Sequence, residues 1–135
     1  MIPFDFSWII GRSVEVGFSE SSTWFFALGE SLGFNVECPW RLIIDERIAV
    51  SSEDHRQSFG LPAPIDAAER SSALLSGLLV TRVEIRDGTA DLSIYFDGGQ
   101  KLEIIPFSSG YESWQLSAPG NKHVVAHGGG QLVVC

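Results

Sequence analysis

Apolar residues in this chain recur at every second position, and the pattern is laid down twice. Phe26-x-Leu28 falls on Ile94-x-Phe96 at a separation of 68 residues, and Phe34-x-Val36 falls on Leu102-x-Ile104 at the same separation. Trp40-Arg41-Leu42 then meets Trp114-Gln115-Leu116 at a separation of 74, so the second copy carries about six extra residues around Phe107 to Ser113. At the front, Gly11-x-x-Val14 resembles Gly77-x-x-Val80, with the register open there. A period of two puts alternate side chains on opposite faces of a strand, so each run buries one face.

Turn chemistry separates the runs. Asp87-Gly88, Asp97-Gly98-Gly99 and Pro119-Gly120-Asn121 stand between alternating segments, where glycine takes positive φ without steric cost. Each half, about residues 9–50 and 77–134, reads as an antiparallel meander ending in a tryptophan strand. A lone meander cannot bury its apolar face. The expected fold is therefore mainly β, with two similar halves packed as a sandwich or barrel in a single domain of residues 1–135. Unrelated meanders share this alternation, so duplication and coincidence stay equally open.

One segment departs from the period. Asp66-Ala67-Ala68-Glu69 has the spacing of a helix N-cap with an acid at the third helical position, and Ala67, Ala68, Leu74, Leu75 and Leu78 follow at near-helical intervals. This predicts one short helix at about 66–76. The polar stretch of about 51–65 before it is long for a compact domain, and such loops often carry function.

The net charge of −8, from 17 acidic against nine basic residues, repels phosphate backbones and disfavours nucleic acid as a partner. The same charge suits a basic protein partner, or simply solubility. No apolar run reaches membrane-spanning length, and the N-terminal residues lack the basic start of a signal peptide. A cytoplasmic location is expected. Cys38 and Cys135 form no CxxC pair and read as reduced thiols.

Few residues suggest chemistry. His123 and His127 would share one strand face and offer two metal nitrogens, but no third ligand lies nearby. They are weak metal candidates, and no cofactor is expected. Gly128-Gly129-Gly130 lacks the lysine of a phosphate loop and reads as a turn before the last strand. Glu53-Asp54-His55-Arg56 is the densest ionisable cluster, and a carboxylate beside a histidine can tune a general base. No nucleophile motif accompanies it, so it reads first as a solvated loop and the chain as no enzyme. Trp40 with Arg41, and Tyr111-Glu112-Ser113-Trp114, are the most distinctive spots. They read first as core aromatics with an ion pair. The sharper reading makes Trp40, Arg41, Asp54, His55, Tyr111, Glu112 and Trp114 a partner-binding set, because Trp, Tyr and Arg commonly anchor interfaces.

Val36-Glu37-Cys38-Pro39-Trp40-Arg41-Leu42, Asp91-Leu92-x-Ile94-x-Phe96-x-x-Gly99 and Gly110-Tyr111-Glu112-x-Trp114 resemble a family of small bacterial proteins of unassigned function. The likeness covers nearly the whole chain, and Tyr-Glu-x-Trp is its most specific part. It implies a single-domain cytosolic protein without catalytic residues. Similar small acidic proteins often act as antidotes to secreted toxins. The expected function is a non-catalytic interaction protein, an immunity protein against a basic toxin being one form of it. The alternative is a small-ligand module with an aromatic-lined pocket between the halves. Open strand edges also make a homodimer an expectation.

Overall fold

Strands form where the alternation runs and stop where turn residues interrupt it. The computed structural model describes residues 4–135. The reading against a signal peptide rests partly on residues 1–3, which lie outside the described residues. β1 (Glu15–Phe18), β2 (Trp24–Gly29) and β3 (Leu32–Val36) make a meander, and β4 (Trp40–Ile44) and β5 (Arg47–Ser51) a hairpin. After α1 (Ala67–Leu75), β6 (Val80–Ile85), β7 (Leu92–Phe96) and β8 (Lys101–Ile104) make a second meander. β9 (Trp114–Ala118) and β10 (Lys122–Ala126) make a second hairpin, and β11 (Leu132–Val134) ends the fold. Along β2 the residues alternate buried and exposed from Trp24 to Gly29, the half-buried pattern read from the sequence.

The strands assemble into two open antiparallel sheets, ordered β1-β2-β3-β9-β10-β11 and β5-β4-β8-β7-β6. One cluster of buried side chains draws on both sheets, so the fold is a β-sandwich with one short helix, and neither sheet closes into a barrel. Among the described residues no helix is long and apolar enough to cross a membrane.

The halves interlock rather than stack as separate units. Each gives its meander to one sheet and its tryptophan hairpin to the other. β9 lies beside β3 with Trp114 opposite Val36 and Leu116 opposite Phe34. β4 lies beside β8 with Trp40 opposite Ile104 and Leu42 opposite Leu102. These registers match at the separations of 68 and 74 read from the sequence. The crossovers repeat the relation: Glu37 N–H donates to the Ser113 carbonyl (2.9 Å), and Ile105 N–H to the Pro39 carbonyl (2.8 Å). The open register at the front resolves as well. Val80 pairs with Phe96, and a bulge between Val80 and Arg82 adds one residue to β6.

Each meander's outer edge is covered by the helical segment that precedes the other meander. The Ser72 hydroxyl accepts the Val16 N–H (2.9 Å) and donates to the Val16 carbonyl (3.0 Å), which ties α1 to β1. Gly11 N–H donates to the Val80 carbonyl and Val80 N–H to the Arg12 carbonyl, both at 2.8 Å, which tie the 3-10 turn Ser7–Ile9 and its exit to β6. The α1 N-cap forms as read, Asp66 accepting the Glu69 N–H at 3.0 Å.

The core is aromatic at its centre. Trp40 and Trp114 are each 1% exposed. Phe26 and Trp24 pack edge-on against Trp40 at 5.3 and 5.0 Å, and Phe34 against Trp114 at 5.6 Å. The twin tryptophans differ in one respect. Trp114 Nε1 donates to the Ala90 carbonyl at 3.0 Å, whereas Trp40 Nε1 finds no acceptor among the described residues.

Two outcomes follow. Trp114→Ala should cost about 3–5 kcal/mol of stability, and Trp114→Phe about 1–2 kcal/mol more than Trp40→Phe, because only the former strands a buried carbonyl; urea denaturation midpoints measure both. A chain divided between Gly60 and Leu61, both exposed, should give two fragments without stable structure alone, since each supplies strands to both sheets. Mixing them should restore the circular dichroism spectrum of the intact protein.

Candidate interaction surface

The paired crossovers fix one end of the sandwich. Val36 and Ile104 end their strands where Trp114 and Trp40 begin theirs, so both inter-sheet connections lie side by side. Strand direction then gathers six connections at this end, residues 19–23, 37–39, 52–66, 86–91, 105–113 and 127–131. The opposite end is closed by short turns, including residues 30–31, 45–46 and 119–121.

Polar backbone and charge concentrate at the crossover end. Its six connections hold eight of the 17 carboxylates but only two of the nine basic residues, Arg56 and Arg86, so most of the net charge of −8 sits there. The same loops expose Tyr111 (82%), Phe107 (79%) and Phe59 (67%), the three most exposed large apolar side chains among the described residues. Phe59 also holds φ at +45°, a left-handed conformation that aromatic residues seldom adopt. The loop is nonetheless closed at its base. Arg56 N–H donates to the Ile65 carbonyl (2.7 Å), and Ile65 N–H to the Gln57 carbonyl (2.9 Å).

The residues singled out in the sequence separate into several roles. Trp40 and Trp114 lie in the core and offer no surface to a partner. Arg41 sits on the outer face of the five-stranded sheet, its Nε 2.7 Å from Glu103, which Lys101 also reaches at 3.1 Å. Partial burial pushes the Glu103 carboxyl up, but hydrogen bonds from Arg41 and Lys101 outweigh it and hold the group below its ordinary value. Arg41, Glu112 and Trp114 therefore do not meet. Glu112 precedes β9 rather than lying on a strand, accepts the Gln115 side-chain amide at 2.8 Å, and stands 3.7 Å from His127.

Asp54 and His55 do not pair with each other as base and tuner. Asp54 accepts the Ser51 N–H at 2.9 Å and caps the 3-10 turn Ser52–Asp54. His55 Nδ1 accepts the Ala67 N–H at 3.1 Å, which places the ring proton of the neutral imidazole on Nε2 and pins the start of α1. The His55 ring packs on Phe18 (4.7 Å) and Trp24 (5.1 Å). Arg56 reaches Glu20 with both contacts exposed, at 3.0 and 3.2 Å. His123 lies within β10, and His127 just beyond its end. Among the described residues no group of three His, Cys, Asp or Glu side chains could hold a metal ion.

Sequence reasoning missed Phe59 and Phe107. Their segments stood out by length and by the extra residues, but exposure of the rings is not visible in a residue pattern. It also missed a cleft of about 350 Å³ at this end, lined by Phe18, Trp24, Cys38 and His55 with Glu37 and Glu53 beside them. The space between the sheets, where the alternative reading places an aromatic-lined pocket, holds the tryptophan and phenylalanine rings of the core.

Both cysteines are free, Cys38 buried and Cys135 exposed. Burial pushes the Cys38 thiol up to about 12 from its ordinary 9.0. The unfolded chain ionises first, so this group withdraws stability as pH rises from about 9 towards 12. Because the thiolate is the reactive form, an alkylating reagent at mildly alkaline pH should label only Cys135 in the native protein and both thiols after denaturation. Mass spectrometry of the labelled chain checks this.

No curated protein and no solved structure matches the chain. A family model does, over residues 17–135, a span that takes in both crossovers, the helix and every strand from within β1 onward. The chain belongs to that family, DUF6188, described as a family of unknown function.

Proposed function

We propose that this chain is a non-catalytic, cytoplasmic interaction protein that meets a basic partner protein with its crossover end. The observation that carries this reading is the exposure of Tyr111, Phe107 and Phe59 on the loops of a single end. Rings left in water on a soluble protein mark a contact surface, and aromatic side chains supply the usual anchors of one. The surrounding carboxylates steer a positively charged partner and reject acidic ones. A basic toxin held inactive by its antidote is the form of partner that the sequence resemblance favours. The second reading, a small-ligand module, draws on the cleft beside Trp24 and His55.

The test is a combined Phe59→Ser, Phe107→Ser, Tyr111→Ser variant. These side chains are exposed, so its melting temperature should stay close to that of the wild type. The wild-type protein used as bait should retain a basic protein from the host lysate, less of it as salt rises, and the variant should retain none. Equal capture by both would overturn the proposal. The substitutions leave the cleft intact, so a small-ligand role would survive them.

A further inference from the structure

Two neighbouring hollows open at the crossover end, and Phe18 and His55 line both. The first already holds an arginine of this chain. The Arg56 guanidinium carbon lies 5.7 Å from the centre of the Phe18 ring, and its Nη2 reaches the two Glu20 carboxylate oxygens at 3.0 and 3.2 Å. A flat cation over a ring, held by a carboxylate, is a favourable arrangement because the ring face is electronegative.

The second hollow is the cleft of about 350 Å³, and it has the same parts without the arginine. Phe18 and Trp24 wall it, their ring centres 4.3 Å apart, and the His55 ring packs on both. His55 Nδ1 accepts the Ala67 N–H, so that nitrogen carries no proton. Glu37 and Glu53 line the cleft from two different connections, residues 37–39 and 52–66. Both are exposed, and neither side chain makes a hydrogen bond or ion pair among the described residues. No lysine or arginine lines the cleft. Its volume lies near the lower limit of small-ligand pockets, which suits one long side chain.

We infer that this cleft is the receptor for one arginine side chain of the basic partner. This rests on reading the crossover end as the face that meets such a partner. Charge and ring chemistry together choose the occupant. An anion is repelled by Glu37 and Glu53, and a neutral apolar group would take both carboxylates out of water with no counter-charge. A guanidinium answers both features, since its plane stacks on a ring while its N–H donors fork towards carboxylates. A lysine ammonium supplies the charge but not the plane. The exposed rings and the cleft then read different parts of the partner, its apolar surface and one basic side chain.

The probe is Nα-acetyl-arginine amide, titrated into the isotope-labelled full chain and followed by amide NMR shifts. Signals from residues 37–39 and 52–55 should move and saturate with a Kd on the order of 1–10 mM, and the affinity should fall as salt rises. Nα-acetyl-citrulline amide, which keeps the shape and lacks the charge, should give no saturating shift. The combined Glu37→Gln, Glu53→Gln variant should bind the arginine probe about fivefold more weakly, the scale expected of two exposed ion pairs. Glu30→Gln with Glu46→Gln, which removes the same charge from the opposite end, should bind it as the wild type does. Should the Glu37, Glu53 double variant lose its native spectrum, the two single variants decide. A probe that shifts nothing, or shifts residues away from the cleft, overturns the inference. So does equal binding of the citrulline probe, or an unchanged affinity in the Glu37, Glu53 variants. The Phe59→Ser, Phe107→Ser, Tyr111→Ser variant should bind the probe normally, so loss of partner capture and loss of arginine binding are read separately.

Discussion

The antiparallel pairing of β3 with β9, mirrored by β8 with β4, is the constraint on which the rest of the molecule depends. It joins residues about 80 positions apart in one case and about 60 in the other, as the registers Val36–Trp114 and Trp40–Ile104 show. Neither sheet is complete without it. The meander β1-β2-β3 alone would leave Phe26, Phe34 and Val36 in water, and the hairpin β4-β5 would have no neighbour for Trp40. Burial of the two tryptophans and the rings packed on them therefore becomes available only when both halves are present. Such long-range pairing costs loop-closure entropy before the contacts reward it, which favours slow, cooperative folding.

The same pairing separates the two ends of the sandwich. Hairpin turns of two to four residues close one end. Connections that change sheet, enter the helix or leave an edge all emerge at the other. The six extra residues before Trp114 and the long stretch before α1 both come to that end. His55 and Asp54 shape it by bonding to backbone. What they leave outward is a rim of carboxylates and three rings.

The two outer sheet faces carry a further contrast. Strand alternation requires only that outward residues tolerate water, and the five-stranded sheet meets this with the salt-bridged group around Glu103. The six-stranded sheet meets it mostly with small, amide and apolar side chains, and also with Glu15 and His123. Both satisfy the folding pattern, so the difference lies outside what folding demands.

By itself the sequence determined the alternating strands and the helix, and it offered the residue pairs at separations of 68 and 74. These depend on local periodicity, capping and turn chemistry, as at Asp66 and Asp97-Gly98-Gly99, which act within a few residues. It also marked the core correctly at Val36, Leu102 and Leu116. Only the tertiary structure decided that the halves exchange hairpins, because Trp40 and Trp114 can pair equally well in pattern with either meander. It alone decided that Trp114 is interior while Tyr111, three residues earlier, is the most exposed large apolar side chain among the described residues. A loop residue has no period, so its exposure depends on what the rest of the chain brings beside it.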